Sequence, residues 1–196
     1  CIRDRRMRGR CFIIRWADDF IIGCELESDA RRIMAVLPKR FGRYGLSLHP
    51  EKTSIIRFKR PRSGGGGKDR QNGTIDFLGF TFYWAKSYRG YWVIKRKTAR
   101  RRLARFMREL WRWCKKNMHE PIQQQHQALC VKLRGWFRYH GVRHNYRALK
   151  AVFACAGRAW RYWLSRRSSK GTVNWETFDR LCVSYPLPRP RIIHNI

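Results

Sequence analysis

The sequence predicts an α+β chain: strands and one helix first, then helices alone. Three observations carry that expectation. Two apolar, β-branched-rich runs, Phe12-Ile13-Ile14 and Phe20-Ile21-Ile22, flank the adjacent carboxylates Asp18 and Asp19. Strand-like segments bounded by Gly, Pro and polar clusters continue to about residue 97. From Thr98 onward, apolar residues fall at helical spacing.

Residues 11–24 read as a β-hairpin with Asp18 and Asp19 at or beside its tip. Glu27-Ser28-Asp29 offers helix N-cap chemistry, and a helix follows from about Ala30 to Tyr44 on Ile33, Met34, Leu37 and Phe41. Pro38 is a candidate kink and Gly45 a candidate C-cap. Leu46 and Leu48 alternate with polar neighbours, and Ser54 to Phe58 reads as a further short strand. The stretch 61–73 is a break. Its Gly64-Gly65-Gly66-Gly67 lacks the Gly-Lys-Ser/Thr ending and following helix of a phosphate-cradling loop, so it reads as a linker. Thr74 to Ala85 and Tyr91 to Ile94 read as strands.

Thr98 opens a strongly basic helix to about Lys116, with Leu103, Phe106, Met107, Leu110 and Trp113 or Cys114 in one stripe. Pro121 can start the next helix, which carries Leu129, Val131, Leu133 and Trp136. Asn145 can cap a helix bearing Leu149, Val152, Phe153, Ala156, Trp160 and Trp163 or Leu164, and Asn174 caps a short last one. Pro186 to Pro190 must be extended. Three regions are therefore expected: 1–97, 98–185 and an extended Pro-rich tail, 186–196.

Forty-five Lys and Arg stand against 13 Asp and Glu, a formal charge of +32 that repels itself unless a polyanion is bound. Nucleic acid is the first expectation, because nine Trp and many other rings can stack on bases. An anionic membrane surface is the second, but no apolar run reaches spanning length. Seven irregularly spaced cysteines form no CxxC pair and fit neither a disulfide framework nor a zinc ribbon, so a reducing cytosol is expected, taken as a bacterial-type cytoplasm. The start at Cys1 shows no signal peptide and suggests the downstream piece of something longer.

Adjacent carboxylates repel, and at a tight turn between buried strands they are costly without a cation. Hard oxygen ligands suit Mg²⁺, which takes one or two protein carboxylates plus substrate phosphates. The alternative is a polar turn whose acids are simply solvated. His140 and His144 stand four apart, but Gly141 lies between them and no Glu or Cys cluster accompanies them, which argues against zinc.

In order along the chain, five segments resemble the C-terminal half of a group II intron reverse transcriptase/maturase. Trp16-Ala17-Asp18-Asp19 resembles the family's Tyr-Ala-Asp-Asp palm motif, with Trp for the usual Tyr. The segment from Gly45 to Thr53 is similar to the palm segment that follows, and Asp76-Phe77-Leu78-Gly79-Phe80 to the strand that grips the primer. Leu133 to Gly141 resembles the helical thumb or maturase-specific region, and Trp175 to Phe178 with Tyr185 to Arg191 its end.

The resemblance implies a partial right-hand polymerase palm followed by an α-helical thumb/maturase domain. It implies a mobile-element enzyme active in RNA-directed DNA synthesis, intron splicing and retrohoming. Two Mg²⁺ would act on primer and triphosphate, with Asp18 a principal and Asp19 an assisting ligand. Lys52 becomes a candidate for charge near the leaving pyrophosphate, and Trp16, Ala17, Phe77, Leu78 and Gly79 for contact with primer and nucleotide. Intron RNA, an RNA template with DNA primer, and dNTP are the implied partners, with a homodimer as an allowed assembly.

Candidate RNA contacts are Arg100, Arg101, Arg105, Arg108, Arg134, Arg138, Arg143, Lys150, Arg166 and Arg167, each with a solvated surface charge as its alternative. Trp111, Trp113, Trp136, Trp160 and Trp163 are expected mainly in the core.

The family's upstream palm Asp and finger motifs have no counterpart, since Asp4 sits in a basic, non-strand context. The 196-residue chain alone is therefore expected not to polymerise DNA. His194-Asn195 lacks the second His of a His-Asn-His nuclease motif. Competing classes are a non-enzymatic RNA-binding splicing factor or remnant, and a generic basic nucleic-acid binder. The latter leaves the ordered motifs unexplained.

Overall fold

The computed structural model describes residues 7–61, 72–168 and 171–195. Asp4, Cys1 and most of the Gly-rich stretch lie outside the described residues. The chain divides into two compact units, Cys1–Leu78 and Gly79–Ile196.

In the first unit, β1 (Cys11–Trp16) pairs antiparallel with β2 (Asp19–Cys24), closing on Trp16 opposite Asp19. The expected hairpin forms, but its strands are not buried. Phe12, Ile13, Ile14 and Trp16 are all exposed, as a two-stranded ribbon does not by itself bury its apolar side chains.

Helix α1 (Glu27–Gly42) starts three residues before the predicted Ala30. Neither Ser28 nor Asp29 caps it. Leu26 is the N-cap without a side-chain bond, and Asp29, buried within the first turn, accepts the amides of Gly9 (2.8 Å) and Arg8 (3.4 Å). A carboxylate there also meets the positive end of the helix. Pro38 lies inside α1 without ending it.

Gly45 terminates α1 as expected, at φ +68° with Leu46 N–H donating to Phe41 and its own N–H to Gly42. Phe20 of β2 meets Phe41 of α1 (centroids 6.1 Å apart).

The strands expected around Leu46–Leu48 and Ser54–Phe58 do not form. The second segment faces Asn72 and Gly73, which accept from and donate to Lys59 and donate to Arg57, and two residues do not make a ladder. Nor is Thr74 to Ala85 one strand. β3 (Ile75–Phe77) and β4 (Phe80–Lys86) are separated at Leu78 (φ +50°) and Gly79 (φ +78°), a left-handed pair that β structure does not tolerate.

In the second unit, β4 pairs antiparallel with β5 (Trp92–Thr98). Four helices follow: α2 (Arg100–Lys116), α3 (Ile122–His140), α4 (Tyr146–Leu164) and α5 (Trp175–Ser184). All the buried hydrophobic side chains among the described residues lie here, centred on Leu110, Leu129, Leu133, Leu149, Val152 and Trp160. The ambiguous stripe positions resolve to Cys114 and Leu164, while Trp113 and Trp163 pack partly buried at the margin.

Val131, expected inward, is 69% exposed, and Cys130 and Phe137 take the inner face of α3 instead. Near 100° per residue, Val131 cannot share a face with both Leu129 and Leu133.

Two caps were expected from asparagine. Asn174 caps α5, accepting from Thr177 N–H at 2.8 Å. Asn145 stands at the N-cap of α4, but its side chain does not cap. Its Oδ1 accepts from Thr98 N–H (2.8 Å), and its Nδ2 donates to Thr98 Oγ1 and to the His140 carbonyl (both 2.8 Å). Burial explains the preference: at 1% exposure, three fixed partners outweigh one amide that water can satisfy.

The extended tail folds back on this corner. Ile193 and His194 N–H donate to Gly141 C=O, Arg143 N–H donates to His194 C=O, and Leu187 and Ile192 pack on the core.

Gly141 lies between two backbones. A Cβ there would overlap the Phe137 carbonyl and stand 3.0 Å from that of Arg191, and neither can swing aside as a side-chain tip could. Gly141→Ala is expected to lower unfolding free energy by roughly 2–3 kcal/mol. Urea denaturation checks this against Gly135→Ala, where nothing lies within 4 Å and a mid-helix alanine should instead raise stability by about 0.5–1 kcal/mol.

Candidate functional site

The aspartates are placed by the hairpin's two-residue loop. Strand pairing ends at Trp16 opposite Asp19, leaving Ala17 and Asp18 as the turn. Ala17 adopts φ +51°, a left-handed conformation that a residue with a Cβ takes at a cost. Arg15 Nε donates to Ala17 C=O at 2.9 Å and holds the turn. Asp18 in the loop and Asp19 opening β2 are both exposed.

That exposure corrects one premise. The carboxylates are not squeezed between buried strands, so water can solvate them and their proximity alone does not require a cation. The donor set still fits one. Two adjacent carboxylates on a short, pinned turn present hard oxygens with room for phosphate and water ligands. Among the described residues, no group of three or more His, Cys, Asp or Glu side chains gathers to hold a metal.

Lys52 is exposed in a turn where Lys52 and Thr53 N–H both donate to His49 C=O. Phe77 and Leu78 are half-buried at the end of the first unit. Gly79 opens the second, where its carbonyl accepts from Ala99 N–H at 2.9 Å. A Cβ there would stand 3.0 Å from Arg102 Nε. Close approach at this glycine is thus used within the protein itself, to seat the first turn of α2.

All ten candidate RNA-contact cations are exposed. Several carry local partners. Arg105 pairs with Glu109 (2.8 Å), Arg166 lies over the Tyr162 ring (3.7 Å) and Arg167 donates to His119 C=O (3.1 Å). Exposed contacts of this kind hold little energy and can be exchanged for phosphate. Of the tryptophans, Trp160 is fully buried, its Nε1–H donating to Gln125 Oε1 at 3.0 Å.

Sequence reasoning missed the interior of this unit's polar chemistry. His140 is 2% exposed, ringed by Phe80, Trp136 and Tyr139, with Nδ1 3.4 Å from Thr98 Oγ1. Burial, with Arg102 adding to it, pushes its pKa down to about 4. It also missed Arg102, one of three consecutive arginines. The available signal was its spacing of three and four residues from Arg105 and Phe106.

Residues 2–82 match the family model described as reverse transcriptase (RNA-dependent DNA polymerase). The matched span contains the Asp18-Asp19 turn, Lys52 and Phe77 to Gly79. No curated protein matches the chain. Among the described residues, no helix is long and apolar enough to cross a membrane.

Proposed function

We propose that the chain is the rear of a polymerase palm and the thumb/maturase region of a group II intron reverse transcriptase, acting in RNA-directed DNA synthesis and intron splicing in a reducing cytosol. The observation that carries this reading is the pinned Ala17–Asp18 turn, lying within the reverse transcriptase match and presenting two carboxylates to solvent.

Mg²⁺ bound there would activate the primer 3′-hydroxyl and neutralise charge on the triphosphate. Asp18 and Asp19 would hold it. Trp16, 67% exposed beside the turn, offers a ring against which primer or nucleotide can rest, and Lys52 adds positive charge for phosphate. The second unit's exposed arginines then hold the intron RNA, whose shallow minor groove and 2′-hydroxyls are read by shape.

A second reading, a splicing factor without polymerase activity, rests on the exposed cations of the second unit alone. Both readings require RNA binding.

Affinity for a folded group II intron RNA should fall steeply with salt, with a log–log slope of about −4 or steeper if half the candidate cations engage phosphate. Fluorescence anisotropy measures it. No salt-sensitive affinity, or equal affinity for an unfolded RNA of the same length, would overturn the proposal. Primer extension by the chain alone with Mg²⁺ should give no product.

A further inference from the structure

We propose that an open cleft between α2 and α3 takes a single unpaired guanosine nucleotide of bound RNA. The proposal rests on the RNA-binding reading and adds a specific site to it. The cleft has a volume of about 280 Å³ and is lined by Arg102, Arg105, Phe106 and Glu109 from α2 and by Trp136, Tyr139 and His140 from α3.

Its chemistry divides into three parts. The first is aromatic. Phe106 stacks on Trp136 with centroids 4.0 Å apart and planes 13° apart, and His140 lies 4.0 Å from Trp136 on the same helix face. Tyr139 is half-exposed at the edge. Trp136 and His140 are taken up in this stack, so a base that leaves its own stack would meet the half-buried Phe106 and half-exposed Tyr139.

The second part is cationic. Arg102 and Arg105 lie one turn apart on α2 and are exposed. Against one carboxylate, they leave a net positive charge that one nucleotide phosphate neutralises. Guanidinium forks suit phosphate oxygens.

The third part selects the base. Glu109 is one of 13 acids in a chain of +32, and it sits on the wall of an aromatic cleft in an RNA-binding unit. A carboxylate accepts hydrogen bonds only. Guanine offers two parallel donors, N1–H and N2–H, on its Watson–Crick edge, whereas the other bases offer one or a donor beside an acceptor. The exposed Arg105–Glu109 pair frees the carboxylate at little cost.

The test uses the 196-residue chain and hairpin RNAs identical except for one bulged nucleotide. Anisotropy should show the bulged G bound about tenfold more tightly than the bulged A or a fully paired hairpin. Glu109→Gln should erase the preference without weakening binding to the paired RNA, because it removes a negative charge from a basic surface. Arg102→Gln with Arg105→Gln should lower affinity for the bulged G more than for the paired RNA.

5′-GMP should displace the bulged-G RNA at lower concentration than 5′-AMP; equal displacement by the two overturns the base selectivity. Equal affinity for G and A bulges, or a preference that survives Glu109→Gln, overturns the proposal while leaving salt-dependent RNA binding intact. Loss of all RNA binding would instead overturn the underlying reading as well.

Discussion

Asp18→Asn is expected to lower cDNA synthesis on the order of 10³-fold, or ~4 kcal/mol of barrier, in a polypeptide joining this chain to a palm strand that supplies a further carboxylate. The amide keeps the shape of the turn but loses the charge that a divalent cation needs. Asp19→Asn should cost less, because the resemblance gives it the assisting role. Neither change should weaken RNA binding, since the candidate contacts lie on exposed faces of the second unit. Primer extension and anisotropy on the same preparations separate the outcomes. Equal loss of both activities would show that the aspartates serve only to shape the hairpin.

Asn145→Ala is expected to destabilise the second unit by about 2–3 kcal/mol. The side chain satisfies three buried groups at once: Thr98 N–H, Thr98 Oγ1 and the His140 carbonyl. Truncation leaves Thr98 N–H unmet in a space closed to water, whereas the His140 carbonyl keeps Val142 N–H at 2.8 Å; one buried orphan costs ~1–3 kcal/mol, and the lost packing and donor bonds add to it. Asn145→Asp should rescue only partly, because it retains the acceptor for Thr98 N–H and loses both donors. Urea denaturation monitored by tryptophan fluorescence checks this. A loss under 1 kcal/mol would mean that Asn145 is an ordinary cap.

The same network predicts a pH dependence. His140 is held near a pKa of about 4, against an ordinary 6.5 in the unfolded chain. Between those values the unfolded state binds more protons, so stability rises with pH across that window. The contribution of His140 is complete above about 6.5 and is lost as pH falls toward 4. Its full extent is on the order of 3 kcal/mol. Denaturation midpoints between pH 7 and 4 should therefore slope less in His140→Gln than in the parent chain.

Periodicity and punctuation made several features legible: the hairpin and its turn, the glycine that ends α1, the four later helices and the cap at Asn174. Each is decided by residues close in sequence. A left-handed glycine, a capping side chain and a stripe of apolar residues act within one or two turns of themselves. The same locality explains the failures. Thr74 to Ala85 reads as one strand, and the break depends on the left-handed pair Leu78 and Gly79, of which only the glycine hints at a turn. The segment from Ser54 to Phe58 has strand composition but no ladder.

By itself, the sequence determined the turn that carries Asp18 and Asp19, the basic helices and most of their apolar stripes, Val131 excepted. What tertiary structure alone decided is where those stripes are satisfied and which polar groups they enclose. The hydrophobic β1 strand stays exposed, because burial needs a second layer and not merely a greasy sequence. Asn145 turns from its own helix to Thr98, 47 residues away, and α2 and α3 together line a cleft that neither encodes alone. Backbone conformation is set by neighbours along the chain, whereas desolvation depends on what the whole fold brings alongside.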